Sequence, residues 1–410
     1  MDATSRPAAV AGAGSTGRGR WHRRAGMVPL GYLVLIVVVA FTHPLLPQWR
    51  WLLVHLLLLG AVTNAIVVWS NHFAIAVLRA PAPANRRGEA VRLATLNAGI
   101  VGVLAGGSGE GGWRWVAVAG SVVVFAAVLA HLIVLAMRLR RTLPAPFVVT
   151  VHYYLAAATA LLAGIPAGAV MLVSGHSPRV LLFHVHVNVL GWVTLTVLGT
   201  VLTLWPTVLR TRMASGAVRA ANIALPMAVT GLVALSIGVL AWWPLLAAAG
   251  VALFFAAVVV TAVPAVMAAR RRAPQSFAAW SIAAATGWLL VGLVVDVATL
   301  LGARNPESAA AGFGAVLVPL LAGFAAQVLV GALAYLLPVV LGGGPAAVRA
   351  RITVLERHWA QRVVMGNAAL AVFVLPVGAY VRIATSLLVL AALVQFILAA
   401  VRALLIDRRR

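Results

Sequence analysis

The chain has 410 residues, of which 63% are hydrophobic and 9% are charged, and its mean hydropathy of +1.05 excludes a water-soluble globular protein. It contains no cysteine, which excludes disulfides, thiolate copper sites and covalently attached c-type heme. The net charge of +24 does not indicate nucleic-acid binding, because all 31 basic residues are arginines and most stand in short groups between apolar runs.

In chain order, residues 1–27 are rich in Gly, Ala and Arg and predict a disordered basic tail. From residue 28 onward, apolar runs long enough to cross about 30 Å of hydrocarbon as a helix alternate with polar breaks. These runs predict about twelve transmembrane helices at 28–47, 51–78, 91–107, 113–137, 146–173, 178–208, 219–241, 244–268, 277–301, 311–341, 361–380 and 383–406. We therefore expect an all-α polytopic bundle over residues 28–406 and a short polar end at 407–410.

The arginines predict how this bundle sits in the membrane. Groups of them occupy the N-terminal tail, the connections after spans two, four, six, eight and ten, and the C-terminal end, whereas the alternate connections hold at most one each. We call the span ends next to the groups the basic ends. By the positive-inside rule, both termini are expected in the cytoplasm of a multi-pass plasma-membrane protein, which agrees with an even number of spans.

Spans two, six and ten share residues at a common offset. HLLLLGAVT from His55 resembles HVNVLGWVT from His186, and 186 minus 55 gives a shift of 131. GWVTLTVLGTVLTLWPTVL from residue 191 resembles GFAAQVLVGALAYLLPVVL from residue 323, with a shift of 132 (323 minus 191). Because the three spans are four apart and run in one direction, the sequence predicts three parallel pseudo-repeats of four helices.

Histidines near the ends opposite the basic ends form the main candidate site. Residues two apart on a helix project to nearly opposite sides, so His184 and His186 predict two different sites. His55 matches His186 in the repeat, and the two are expected to bind one heme iron, whose bis-imidazole ligation needs ring nitrogens about 4 Å apart. Asn188 is expected to orient the second ring nitrogen of His184. The alternative is that these histidines only tie helices together by hydrogen bonds.

A second set of polar residues is a weaker candidate site. His72, His131 and His152 lie towards the basic ends and are candidates for a metal site or a quinone headgroup pocket. The alternative is that they occupy the membrane interface. Asp296 is the only acid deep in the predicted bilayer. It is expected either to pair with an arginine near the outer end or to act as a proton relay or ligand gate.

The twelve spans in three repeats and the stretch HVHVNVLGW resemble subunit I of the heme-copper oxidase and nitric oxide reductase superfamily. The resemblance to its cbb3-type members implies that His184 and His186 are heme ligands and that His55 is the ligand on the second helix. The His-x-His motif is on span six rather than span ten, and neither the adjacent histidine pair for copper nor the acid-lined proton channels are present. The resemblance therefore does not imply oxygen reduction.

Three longer stretches resemble a second family. LLVHLLLLGAVTNAIVVWSNHF, VNVLGWVTLTVLGTVLTLWPTVLRTRM and GFAAQVLVGALAYLLPVVLGGGP are similar to the membrane module that precedes cupredoxin domains in actinobacterial copper oxidase or nitric-oxide-forming nitrite reductase fusion proteins. This resemblance implies association with a cupredoxin-type copper enzyme.

The sequence thus favours an integral membrane protein that binds b-type heme, and copper as an alternative, and passes electrons from the quinone pool to an outer-face copper or nitrogen-oxide enzyme. It would then be a component of an oxidoreductase. Besides the quinone pool and the copper or nitrogen-oxide enzyme, the only expected partner of the chain is membrane lipid. Two alternatives remain open: a transporter or copper-handling permease that uses the same histidines, and a noncatalytic scaffold for a copper enzyme.

Overall fold

The computed structural model describes residues 12–81, 85–109, 111–141 and 145–406. These residues form helices and no strand. The long helices are α1 (Gly12–Thr42), α2 (Trp49–Val77), α3 (Arg87–Ser108), α4 (Gly111–Arg140), α5 (Val148–Ser174), α6 (Pro178–Leu209), α7 (Ala217–Ala241), α8 (Pro244–Arg271), α9 (Phe277–Gly302), α10 (Pro306–Leu341), α11 (Trp359–Phe373) and α12 (Ala379–Leu405), with the shorter helix Gly344–Leu355 between α10 and α11.

Eleven helices in the described part of the chain are long and apolar enough to cross a membrane. The exception among the predicted spans is α11, whose 15 residues extend about 22 Å at 1.5 Å per residue. It ends at Phe373 because Pro376 disfavours helical backbone in the residue before it. The prediction of an all-α polytopic membrane protein is confirmed, with the eleventh predicted span shorter than expected.

The N-terminal boundary also differs from the prediction. Helix α1 begins at Gly12, whereas disorder was expected up to residue 27. No proline occurs between residue 12 and Pro29 to interrupt the helix. The five glycines of this stretch disfavour a helix by about 1 kcal/mol each, which is why the sequence predicted disorder. Residues 1–11 and 407–410 lie outside the described residues.

The three predicted repeats share an unusual backbone feature. Helices α2, α6 and α10 each contain a π-helical segment, at Leu56–Val62, Val187–Thr194 and Pro319–Ala326. Their first residues are 131 (187 minus 56) and 132 (319 minus 187) positions apart, the same shifts that the sequence comparison gave. An α-helix of 15 residues follows each segment. The internal repeat of these three helices is therefore present in the backbone as well as in the sequence.

A glycine in each π-helical segment packs against the first helix of its own repeat. A Cβ atom added at any of the three glycines would overlap a side chain of that helix. Close approach of this kind is the usual reason for small residues between membrane helices. The pairs are Gly60 with Tyr32, Gly191 with Ala160, and Gly323 with Trp288.

The first and third repeats also share a half-buried amide cluster. In each, two amide side chains exchange hydrogen bonds, at 2.7 and 3.2 Å in the first repeat and at 3.0 and 3.1 Å in the third. An aromatic donor completes the cluster by donating to the same asparagine oxygen, at 2.9 and 2.8 Å. The clusters are Tyr32, Asn64 and Asn97 on α1 to α3, and Trp288, Gln327 and Asn367 on α9 to α11.

Helices α2, α6 and α10 contact one another at the centre of the bundle. The indole nitrogen of Trp192 on α6 donates to Thr63 Oγ1 on α2 at 3.0 Å. Thr63 in turn donates to Leu58 O, five residues back, as a π-helical segment allows. The bond fixes the register between the two helices that carry the candidate histidines.

The packing of Gly60 generates the first prediction. Gly60→Ala should lower the thermal unfolding temperature in detergent, because overpacking a tight helix contact costs about 1–3 kcal/mol. Gly31→Ala is the matched control, since it also replaces a helical glycine but has open space around its Cβ position. The control should keep or slightly raise the unfolding temperature. Equal unfolding temperatures for the two variants would contradict the packing described.

Candidate metal centre

His55 and His184 face each other across the contact between α2 and α6. His55 ends the α-helical part of α2, directly before the π-helical segment, and His184 lies in the corresponding part of α6. Both side chains are half-buried. Their ring centroids are 6.4 Å apart and their planes differ by 25°, so two nearly parallel imidazoles from separate helices meet at one place.

The hydrogen bonds of these rings fix their protonation. His55 Nδ1 lies 2.8 Å from Trp51 O, and His184 Nδ1 lies 2.9 Å from Gly164 O. A carbonyl oxygen can only accept, so each Nδ1 carries the proton and each Nε2 keeps its lone pair. Neither Nε2 has a hydrogen-bond partner among the residues that the structure describes. Both nitrogens that would bind a metal are therefore open.

The ring separation agrees with ligation of one metal ion. An imidazole nitrogen binds a metal at about 2 Å and lies about 1.1 Å from the centre of its five-membered ring. Two imidazoles on opposite sides of one ion therefore have centroids about 6.2 Å apart, close to the 6.4 Å between His55 and His184. The donor set is a pair of neutral imidazole nitrogens, which suits ions such as iron, copper and zinc.

Neighbouring residues hold both rings in place. The Trp51 ring stacks on His55 with centroids 4.0 Å apart. On α5, Gly168 leaves room for the His184 ring, because a Cβ there would lie 2.8 Å from His184 Cε1. Sequence reasoning missed Trp51, Gly164 and Gly168. The spacing of Trp51, four residues before His55, was the one available signal, whereas the glycines lie on α5, where the sequence predicted no residue of this site.

His186 takes part in a different contact. Its Nδ1 lies 2.6 Å from Leu182 O, and its Nε2 lies 3.0 Å from Asp296 Oδ2 on α9. Both partners are fully buried, at 1% and 0% exposure, and Phe313 of α10 packs edge-on against the ring. The predicted pairing of His55 with His186 is therefore wrong, since His184 occupies that position. Asp296 pairs with a histidine and not with an arginine.

Asn188 supports α6 more than the metal-facing ring. Its Nδ2 donates to His184 O at 2.7 Å and lies 3.2 Å from His184 Nδ1. Because His184 Nδ1 donates its proton to Gly164 O, it cannot also accept a proton from Asn188 Nδ2. Gly164 leaves room for the Asn188 amide. Orientation of the His184 ring thus comes from a backbone carbonyl of α5 and only indirectly from Asn188.

The residues of the second candidate site do not converge. His131 lies 3.0 Å from Ser70 Oγ and is buried, His72 packs against Trp69, and His152 is exposed. Among the described residues, no group of three or more His, Asp or Glu side chains is placed to hold a metal ion. His72, His131 and His152, predicted as a metal site or a quinone headgroup pocket, thus do not form such a group of three.

The fold defines a multi-pass helical membrane protein. No family model matches the chain, and no curated protein sequence matches it. The function of the protein must therefore be inferred from the geometry of His55 and His184.

The buried pair of His186 and Asp296 generates the second prediction. Asp296→Leu should lower the unfolding temperature in detergent, because a buried ring nitrogen left without a partner costs about 1–3 kcal/mol. Asp296→Asn should be close to the unsubstituted protein, since its amide can donate to His186 Nε2. If Asp296→Leu were as stable as Asp296→Asn, this pair would not be needed to satisfy His186.

Proposed function

We propose that the protein is a membrane electron carrier whose redox metal is held between His55 and His184. The observation that carries this proposal is the pair of open Nε2 atoms on rings whose 6.4 Å separation suits two ligands of one ion. Metal-binding histidines usually donate their other nitrogen to a carbonyl or carboxylate, which fixes the tautomer and raises ligand basicity. Both rings have this support from Trp51 O and Gly164 O.

Heme iron is the metal centre that fits this donor set best. Two imidazoles complete the coordination of an iron whose other four ligands come from the macrocycle, and a chain without cysteine would hold a b-type heme without covalent attachment. When bound, such a heme supplies one-electron redox chemistry. If both His55 and His184 held the iron, it would have no coordination position left for a substrate. The chain is therefore proposed as a component of an oxidoreductase and not as its catalytic subunit.

The residues around the site would tune the bound metal in two ways. The Trp51 ring on His55 and the backbone carbonyls on both Nδ1 atoms restrict ring rotation, which reduces rearrangement when the charge of the metal changes. Apolar side chains of α2, α5 and α6 around the site exclude water. These are the features through which a protein sets the potential of a bound metal.

The arginine distribution supports an orientation for this electron carrier. With the basic ends and both termini in the cytoplasm, His55 and His184 lie near the outer membrane face. Electrons from the quinone pool would then leave towards a cupredoxin-type copper or nitrogen-oxide enzyme at that face. The resemblance to membrane modules of copper oxidase and nitrite reductase fusion proteins supports the same acceptor.

Copper is the second candidate for this site. Imidazole nitrogens bind copper well, and two ligands in line would hold one ion without a macrocycle. This arrangement would favour a copper-handling permease or a scaffold for a copper enzyme. The two candidates differ in the visible spectrum, because only heme gives intense Soret and alpha bands.

The third prediction tests the proposal directly. The protein purified from heme-replete cells should show a Soret band and a sharp alpha band on reduction. His55→Ala and His184→Ala should each lower the bound heme by about tenfold or more. Loss of even a hydrogen-bonding partner of a ligand typically lowers metal affinity by about 10–100-fold. His186→Ala and the exposed-loop variant His176→Ala should retain it.

Two results would overturn this assignment. A colourless protein that binds one copper ion per chain, with binding lost in both His55→Ala and His184→Ala, would replace heme by copper. Equal heme retention in all four variants would show that neither His55 nor His184 is a ligand. Thermal unfolding of each apo-variant separates loss of the ligand from loss of the fold.

A further inference from the structure

A cavity of about 80 Å³ lies where the central helices of the three repeats meet. It extends from the π-helical segments of α2, α6 and α10 towards the basic ends, and Ile282 of α9 closes part of it. No charged side chain lines it. Apolar and small residues from each repeat form most of its wall, among them Ala65, Phe73, Val193, Val197, Ala325 and Ala332.

The hydroxyl groups on this wall have already donated their protons. Thr196 Oγ1 donates to Trp192 O at 2.7 Å and Thr200 Oγ1 donates to Thr196 O at 2.7 Å. Ser70 Oγ donates to Ile66 O at 2.6 Å. Each of these bonds ends on the hydroxyl's own helix, so no hydroxyl proton remains to point into the cavity.

The lone pairs of two of these hydroxyls are also used from outside the cavity. Ser70 Oγ accepts from His131 Nε2 at 3.0 Å, since its own proton goes to Ile66 O. By the same reasoning Thr200 Oγ1 accepts from the Tyr154 hydroxyl at 2.9 Å. Each hydroxyl oxygen has two acceptor lone pairs, so Ser70 and Thr200 keep one each and Thr196 keeps two. His131 and Tyr154 thus reduce the acceptor capacity of a wall that is otherwise apolar.

Size and polarity together define what the cavity can hold. A buried water needs two to four polar partners, and an apolar cavity without them stays dry. At 80 Å³ the space exceeds the roughly 10–15 Å³ that one water requires and is smaller than the roughly 150 Å³ cavity that holds benzene. It is too small to enclose a heme macrocycle or a quinone ring.

We propose that this central cavity is a binding site for one small, uncharged, apolar molecule, of the size of a dissolved diatomic or triatomic gas. Such molecules concentrate in the hydrocarbon of the bilayer and bind by dispersion contacts with a close-packed wall. The site is lined by all three repeats and contains neither His55 nor His184, so it does not depend on the proposed metal centre.

Xenon is the probe for this site, because it is apolar, uncharged and electron-dense. Crystals of the full chain pressurised with xenon should show one anomalous peak between α2, α6 and α10. In detergent solution, saturable xenon binding measured by ¹²⁹Xe NMR should fall roughly tenfold in Ala332→Leu, since the added side chain fills a cavity of this size. Ala315→Leu, an exposed position on the same helix, is the matched control and should bind as the unsubstituted protein does.

Three results would overturn the proposal: no xenon peak in the cavity, ordered water or a detergent chain in its place, or equal xenon binding in Ala332→Leu and Ala315→Leu. Ala332→Val adds less volume and serves if the leucine variant does not fold. The peak in the unsubstituted protein decides the matter without any variant. Because no heme or copper is needed, failure here leaves the His55–His184 site untouched, and failure of that site leaves the cavity untouched.

Discussion

Inside a bilayer no water is available to polar groups, so every donor and acceptor must find its partner within the protein. This constraint explains most polar residues of the chain. The duplicated amide clusters exchange their own hydrogen bonds, the helical threonines donate to carbonyls of the preceding turn, and His186 bonds to Asp296. Some buried oxygens, such as Asn188 Oδ1 and Asp296 Oδ1, lack a hydrogen-bond partner among the described residues. The Nε2 atoms of His55 and His184 differ from these because they are two open imidazole acceptors on facing rings of separate helices.

The same constraint separates the two sites at the centre of the protein. The open nitrogens of His55 and His184 are suited to bind a cation, because a metal ion can accept a lone pair that no hydrogen-bond donor uses. In the cavity below the π-helical segments the hydroxyl protons are all donated to carbonyls, and the wall is almost entirely apolar. The two proposals, a metal ion at one site and an uncharged molecule at the other, follow from this difference.

The sequence predicted the class of fold and the repeat well, because both depend on properties that recur along the chain. Span length follows from hydropathy, and the shifts of 131 and 132 reappear in the π-helical segments. The residues around the site were harder to predict. Gly164 and Gly168 act by leaving space for Asn188 and His184, and a missing side chain gives no signal in a sequence. Helix α11 ends early because of Pro376. The sequence prediction missed this local signal because it relied on the average hydropathy of the span.

The wrong pairing of His55 with His186 has a physical reason in the repeat itself. These histidines occupy equivalent positions, and three repeats whose central helices all touch one another place equivalent residues on successive interfaces. His55 faces the contact of α2 with α6, whereas His186 faces α9 and α10, where it meets Asp296 and Phe313. Equivalent residues therefore do not meet, and a partner for His55 must come from a non-equivalent position.

His184 is that non-equivalent residue. It lies two positions before His186 and so projects from the other side of α6, towards α2 and α5. A shift of 131 or 132 residues places no histidine at the corresponding position of the first or third repeat, where Leu53 and Val316 stand. His55 thus has an equivalent histidine in the second repeat, His186, whereas His184 has no equivalent histidine in the first or third repeat. The proposed metal site therefore lies where the symmetry of the repeat is broken.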